Sequence, residues 1–160
     1  MNPTLPYLSF LLLALVSCQT GEHEIIVTPR GFTGPVFVVF DQRTGLAAQY
    51  VGQSRFYQVP ASGMLHTQFA PNAGWVGVPQ FYQEAVAAVN RLPTRLLLGR
   101  VPPDTVVGFM GATGSVRLGA ETKERLRWQE FFIGNRGTVE RAQAQVDTLN
   151  VLRFLKQGCP

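Results

Sequence analysis

The chemistry legible in this sequence concentrates at Cys18, through the residues just before it. Leu15-Val16-Ser17-Cys18 offers a branched apolar residue, a spacer, a small residue and a thiol. Signal peptidase II acts on that order. Small Ser17 lets the enzyme reach the bond, and the Cys18 thiol takes a diacylglyceryl group before cleavage. From Leu8 to Val16 the chain is apolar apart from Ser9. A run of about nine suits the core of a signal peptide and falls short of the roughly 20 residues that a spanning helix needs. Met1 to Tyr7 departs from the usual pattern in having no Lys or Arg, and Pro3 and Pro6 oppose a helical start. The pattern predicts a signal peptide over residues 1–17, cleavage between Ser17 and Cys18, and lipid on Cys18. A secreted or periplasmic protein, cut by the ordinary signal peptidase, is the alternative. Each buried methylene contributes about 0.8 kcal/mol, so two or three acyl chains would anchor the chain to a membrane permanently. Gln19, where an Asp would retain many lipoproteins at the inner membrane, favours the outer one. Residues 18–23 read as the lipidated Cys and a short polar tether, acidic at Glu22 and at neighbouring Glu24, spacing a domain from the lipid.

Other chemistry is sparse, and no catalytic residue, metal ligand set or cofactor site is assigned. His23 and His66 lack the His, Cys, Asp or Glu spacing of a zinc site. Gly52-Gln53-Ser54-Arg55-Phe56 begins like a nucleophile elbow but ends in Phe where Gly is needed. Gly108 to Ser115 is glycine-rich without the Lys of a P-loop or the spacing of a dinucleotide fingerprint, and reads as a glycine-bent strand and turn. Glu84, Asp104, Glu130 and Glu140 lie far apart, so folding alone would decide whether two carboxylates meet. The net charge of +4 comes from scattered arginines. It predicts a solvated basic surface, with attraction to anionic envelope polymers as the functional alternative. No nucleic-acid recognition motif is present. Cys159 stands beside the C-terminus as a lone thiol once Cys18 is acylated. Aromatics in Gly/Pro loops are the candidate contacts for a protein or glycan partner: Phe32 and Trp75, with Arg30 beside the first.

Behind the signal, about 140 residues remain, one typical domain able to bury a core without disulfides or metal. Hydrophobic content of 46% and charged content of 15% fit a globular chain. Short β-branched and aromatic runs alternate with turn residues. Strands are predicted over Glu24–Thr28, Val36–Phe40, Ala47–Val51, Arg55–Val59, Met64–Phe69, Arg95–Val101, Thr105–Met110 and Trp128–Ile133. Val36–Phe40 is apolar on both faces and should be central. Asp41 to Gly45 has hairpin chemistry, with Gly45 free to take positive φ. Ala70–Val78 reads as loop, Gln80–Leu92 as a short helix or irregular strand, and Ala120–Arg127 as charged surface. Thr138 to Gln157 is the clearest helix, capped by Thr138. Its apolar stripe of Val139, Ala142, Val146, Leu149, Leu152 and Leu155 faces a sheet, with Asp147 among its polar flank. The turn spacing points to a mainly β fold: a small antiparallel β-sandwich or barrel-like domain over 24–135, with one C-terminal amphipathic helix over 136–158.

Two stretches carry a resemblance. Pro29-x-Gly31-Phe32-x-Gly34-Pro35-Val36 is one, and Arg55-x-Tyr57-x-Val59-Pro60-x-x-Gly63-Met64-Leu65-x-Thr67-Gln68-Phe69 is the other, with Glu130-Phe131-Phe132-Ile133-Gly134 later. They resemble a family of small bacterial lipoproteins with a domain of unknown function. The motifs are turn and core residues, so the resemblance implies a fold and strand-turn-strand over 80–92. It brings no activity or catalytic residue. The expectation is a lipid-anchored envelope protein whose domain is a non-catalytic binding or structural module. An immunity or inhibitor lipoprotein masking a protein partner is the second class. A hydrolase with a site assembled only by folding is the third, and two carboxylates in one cleft would favour it.

Overall fold

The computed structural model describes residues 21–148, apart from residues 75 and 122. Two sheets form in chain order from ten strands: β1 (Glu24–Thr28), β2 (Gly34–Val39), β3 (Tyr50–Val51), β4 (Ser54–Gln58), β5 (Met64–His66), β6 (Gln80–Gln83), β7 (Arg91–Leu92), β8 (Thr94–Arg95), β9 (Val107–Arg117) and β10 (Arg125–Gly134). One helix follows, α1 (Arg136–Thr148). The first sheet runs β3-β4-β1-β6-β7 and the second β5-β2-β10-β9-β8. Neither closes into a barrel, so the architecture is a mainly β, sandwich-like domain with one helix.

The layers follow from side-chain alternation. Ile26, Tyr57 and Phe81 of the first sheet meet Val36, Val38, Leu65, Phe131 and Ile133 of the second to form the inner core. Phe37, Val39, Phe109, Leu126 and Phe132 point the other way and pack under Val139, Ala142 and Val146 of α1. β2 is therefore buried on both faces, as its unbroken apolar run predicts. The described part of the helix lays its stripe on the second sheet, also as predicted. Leu149, Leu152 and Leu155 lie outside the described residues. Among those residues no helix is long and apolar enough to cross a membrane.

The pairing is mixed where turn spacing predicts antiparallel strands. β1 runs parallel to both β4 and β6, β2 to β5, and β8 to β9. The chain repeatedly changes sheets, so β1 and its neighbours β4 and β6, and likewise β2 and β5, are joined by crossovers, while β3–β4, β6–β7 and β9–β10 pair antiparallel. Asp41–Gly45 is such a crossing and not a hairpin turn. Asp41 takes the positive φ, at 57°. Gly45 serves a different need: a Cβ there would lie 2.7 Å from the backbone of His66.

Other boundaries shift for local reasons. Only Tyr50–Val51 of the stretch from Ala47 pairs. The run from Arg95 leaves the sheet after β8 and turns through a short 3-10 segment at Leu98–Arg100, between Pro93 and Pro102. Gln80–Leu92 is strand, 3-10 turn and strand. β9 passes through its glycines instead of ending at Gly111, because β10 pairs with it along nearly its whole length. β10 likewise starts at Arg125, inside the stretch predicted as charged surface, and buries Leu126. Asn135, not Thr138, caps the helix: its Oδ1 accepts the Thr138 N–H at 3.1 Å. Arg136 ties that end down by donating to the carbonyls of Val101 (2.8 Å) and Gly99 (3.2 Å).

Candidate functional site

Two buried glutamates stand at opposite faces of the second sheet. Glu24 opens β1 and is 1% exposed. Each of its carboxylate oxygens accepts an amide N–H: Oε1 from Asn72 Nδ2 at 3.1 Å, Oε2 from Gln129 Nε2 at 3.0 Å. Burial raises its pKa, and the two amides oppose that rise. Asn72 also clamps the preceding residue, donating to the Glu22 carbonyl at 2.7 Å and accepting the Glu22 N–H at 3.0 Å. Arg55, 8% exposed, donates to Glu22 Oε2 at 2.5 Å and to the Ala70 carbonyl at 2.6 Å. Its guanidinium lies 4.8 Å from the centre of the Phe69 ring. That hydrogen bond holds the Glu22 carboxyl below its ordinary pKa. The stretch read as a solvated acidic spacer is thus part of the fold from Glu22 onward. The loop 70–78 is pinned against it.

Glu130 is built differently. Trp128, Glu130 and Phe132 share the helix-side face of β10, so a carboxyl stands among aromatic rings by simple alternation. A β-bulge falls at this point: register passes from Gln129–Thr113 to Phe131–Met110, setting Gly111 and Ala112 of β9 against Glu130. Gly111 makes the room, since a Cβ there would sit 2.8 Å from Glu130 Oε1. The residue is 6% exposed. It accepts no hydrogen bond among the described residues. Its side chain faces a cleft of about 610 Å³ between β9, β10 and α1. Phe109, Trp128 and Val146 give the apolar walls; Gln143 and Asp147 line the helix side. Burial, with the charge of Asp147 added, pushes the Glu130 pKa up to about 7. A carboxyl so placed faces the cleft as a hydrogen-bond acceptor with no donor among the described residues.

The residues singled out from sequence fall elsewhere. Arg30 is exposed on the turn before β2. Phe32 is half-buried against the inner core, its ring beside Gly63 and its carbonyl taking Gln83 Nε2 at 3.1 Å. It is a packing residue more than an open contact. Trp75, Ser17, Cys18 and Cys159 lie outside the described residues. His66 is half-buried, its Nε2 enclosed without a hydrogen bond, and burial lowers its pKa. Among the described residues no group of three or more His, Cys, Asp or Glu gathers as metal ligands. The glycines of the tempting run are packing notches: Gly108 faces the Phe81 ring and Gly114 the Trp128 indole. Sequence reading missed the pairing of Glu130 with Asp147. The signal was present, as one acid inside the aromatic run WQEFF and another beside the helix stripe.

A sandwich of two mixed sheets, backed by one helix that walls a carboxyl cleft, is the class of domain defined here. Residues 20–141 match a family of unknown function, DUF6843, and the chain belongs to that family. No curated protein matches it. A crystal structure at 2.75 Å of a candidate lipoprotein from Bacillus anthracis has a similar fold, with a TM-score of 0.50 and 16% identity over 72% of this chain and 71% of that one.

Proposed function

We propose that the protein is a lipid-anchored cell-envelope protein whose domain is a non-catalytic binding module. The observation that supports the anchored half of this reading is the distance between two features. The Leu15-Val16-Ser17-Cys18 processing pattern ends four residues before Glu22, where the fold is already clamped. Four extended residues reach about 14 Å at most. An acylated Cys18 therefore holds the Glu22–Asn72 end of the domain close to the headgroups. The fold shared with a protein described as a candidate lipoprotein supports the reading. Gln19 supports the outer membrane where the cell has one. Exposed Arg30, with Trp75, remains the proposed loop contact for an envelope partner.

Intact mass of the membrane-extracted protein tests the anchor. Cleavage before Cys18 plus acyl mass is expected; an unmodified Cys18 thiol would sink it. Co-purification of partners, comparing wild type with Arg30→Ala and Trp75→Ala, tests the loop surface. Retention of every partner by both variants removes that surface from the account.

One observation favours a second reading, hydrolysis: Glu130 and Asp147 line one cleft. Against it, no hydrogen bond from the described residues holds Glu130, and Asp147 is exposed on the helix. Catalytic pairs need such support to hold their geometry.

A further inference from the structure

Glu130 is a mostly buried residue whose carboxyl opens into the cleft and takes no hydrogen bond from the described residues, so a donor arriving in the cleft would offset part of the cost of burying it. Among the described residues the cleft supplies no cationic donor. Among the described residues the lining offers one other charged side chain, Asp147 of α1, and it is also an acceptor. The amide of Gln143 is the remaining polar group. A hard divalent cation takes six or more oxygens. Two carboxylates and one amide would leave water to fill the remaining positions, and the walls of Phe109, Met110, Trp128 and Val146 offer those waters no further partners. An organic cation suits this lining better. Its N–H groups satisfy the carboxylates, its charge is favourable over the indole face, and its carbon stem covers the apolar walls.

We propose that the cleft between β9, β10 and α1 binds a primary alkylammonium group, received by Glu130 and Asp147 and stacked along Trp128. The bulge at Gly111 and Ala112, opposite Glu130, then makes the room that its carboxyl needs in the cleft. This names a ligand for the binding module proposed above and rests on that reading. It does not depend on Cys18, so the anchor and the cleft fail separately.

Binding needs ionised Glu130. With a pKa of about 7, ionised Glu130 rises about tenfold between pH 6 and pH 8. The bound ammonium pulls the remaining proton off, so protons are released on binding near pH 7.

The test uses the full chain, purified in detergent. n-Butylammonium chloride and Nα-acetyl-lysine amide are titrated separately, with calcium chloride at matched ionic strength as a third arm. The Trp128 indole and Gln143 amide signals are followed by NMR, and proton release by calorimetry in two buffers. We expect saturable shifts at millimolar amine, about tenfold weaker at pH 6 than at pH 8. Glu130→Gln, which keeps the shape, loses at least about tenfold in affinity and all proton release. Asp147→Asn loses less. Tighter binding of the lysine derivative assigns the natural ligand to a side chain; tighter binding of butylammonium assigns it to a free amine. The proposal is overturned by equal affinity in Glu130→Gln, by no saturation up to about 50 mM amine, or by calcium giving the same shifts and displacing the amine.

Discussion

Glu24 and Glu130 are both glutamates on strands, both almost fully buried, and they have opposite meanings. Glu24 is finished: each oxygen holds an amide N–H, and the network ties the start of β1 to the loop 70–78 and to β10. Glu130 has no donor among the described residues, a bulge on the facing strand and a cleft before it. Burial alone marks neither residue as functional. The difference lies in whether the fold satisfies the group it buries. A satisfied carboxylate specifies structure, and an unsatisfied one beside a cleft is a place for something else to bind.

The largest effect should come from breaking the finished site. Glu24→Ala leaves the Asn72 and Gln129 amides without their acceptor and frees the end of the domain. It should cost about 2–4 kcal/mol in urea unfolding. A cost below about 0.5 kcal/mol would remove the structural role assigned to Glu24. Gly111→Ala comes next. The added methyl occupies the space of the Glu130 carboxyl, and overpacking of this kind costs about 1–3 kcal/mol. It should also turn the carboxyl toward water and return its pKa toward the ordinary range.

Glu130→Gln should act in the opposite sense, and the pH dependence follows from the sign of the shift. The folded pKa, about 7, lies above the ordinary 4.5. Ionisation therefore costs more in the fold than in the unfolded chain. The contribution of Glu130 to stability is fully present below pH 4.5 and is lost as pH rises through the window to about 7. Water in the cleft lessens the penalty, so the Gln variant should gain about 1–2 kcal/mol at pH 8 and little at pH 4. Unfolding midpoints at the two pH values check this, and equal differences at both would contradict it. The smallest effect is Asp147→Asn. Burial is the main cause of the Glu130 shift and Asp147 the lesser one, so the Glu130 titration should move down only slightly.

The sequence made one of these two regions easier to read than the other, for physical reasons. The apolar run of β2, the helix stripe and the loop 70–78 follow from periodicity and turn chemistry, which are local. The sheet changes do not, because a crossing such as Asp41–Gly45 uses the same residue types as a hairpin. Parallel pairing of β1 with β4 and β6 follows from those crossings and is invisible locally. Glu22 read as part of a polar tether and Glu24 as the edge of a strand without a fixed role, because their partners, Arg55, Asn72 and Gln129, are distant in sequence. Glu130 was visible as the odd member of an aromatic strand. Its partner across the cleft, Asp147, sits on another element, and only the packing of α1 on the sheet joins them.

The contrast between the two carboxyls is tested most directly by carbon-detected NMR titration of the glutamate side chains in the intact protein. The account predicts that Glu130 titrates near pH 7, and that adding n-butylammonium moves that midpoint down while leaving Glu24 unmoved. A Glu130 midpoint at the ordinary 4.5, or an equal response of both residues to the amine, would contradict it.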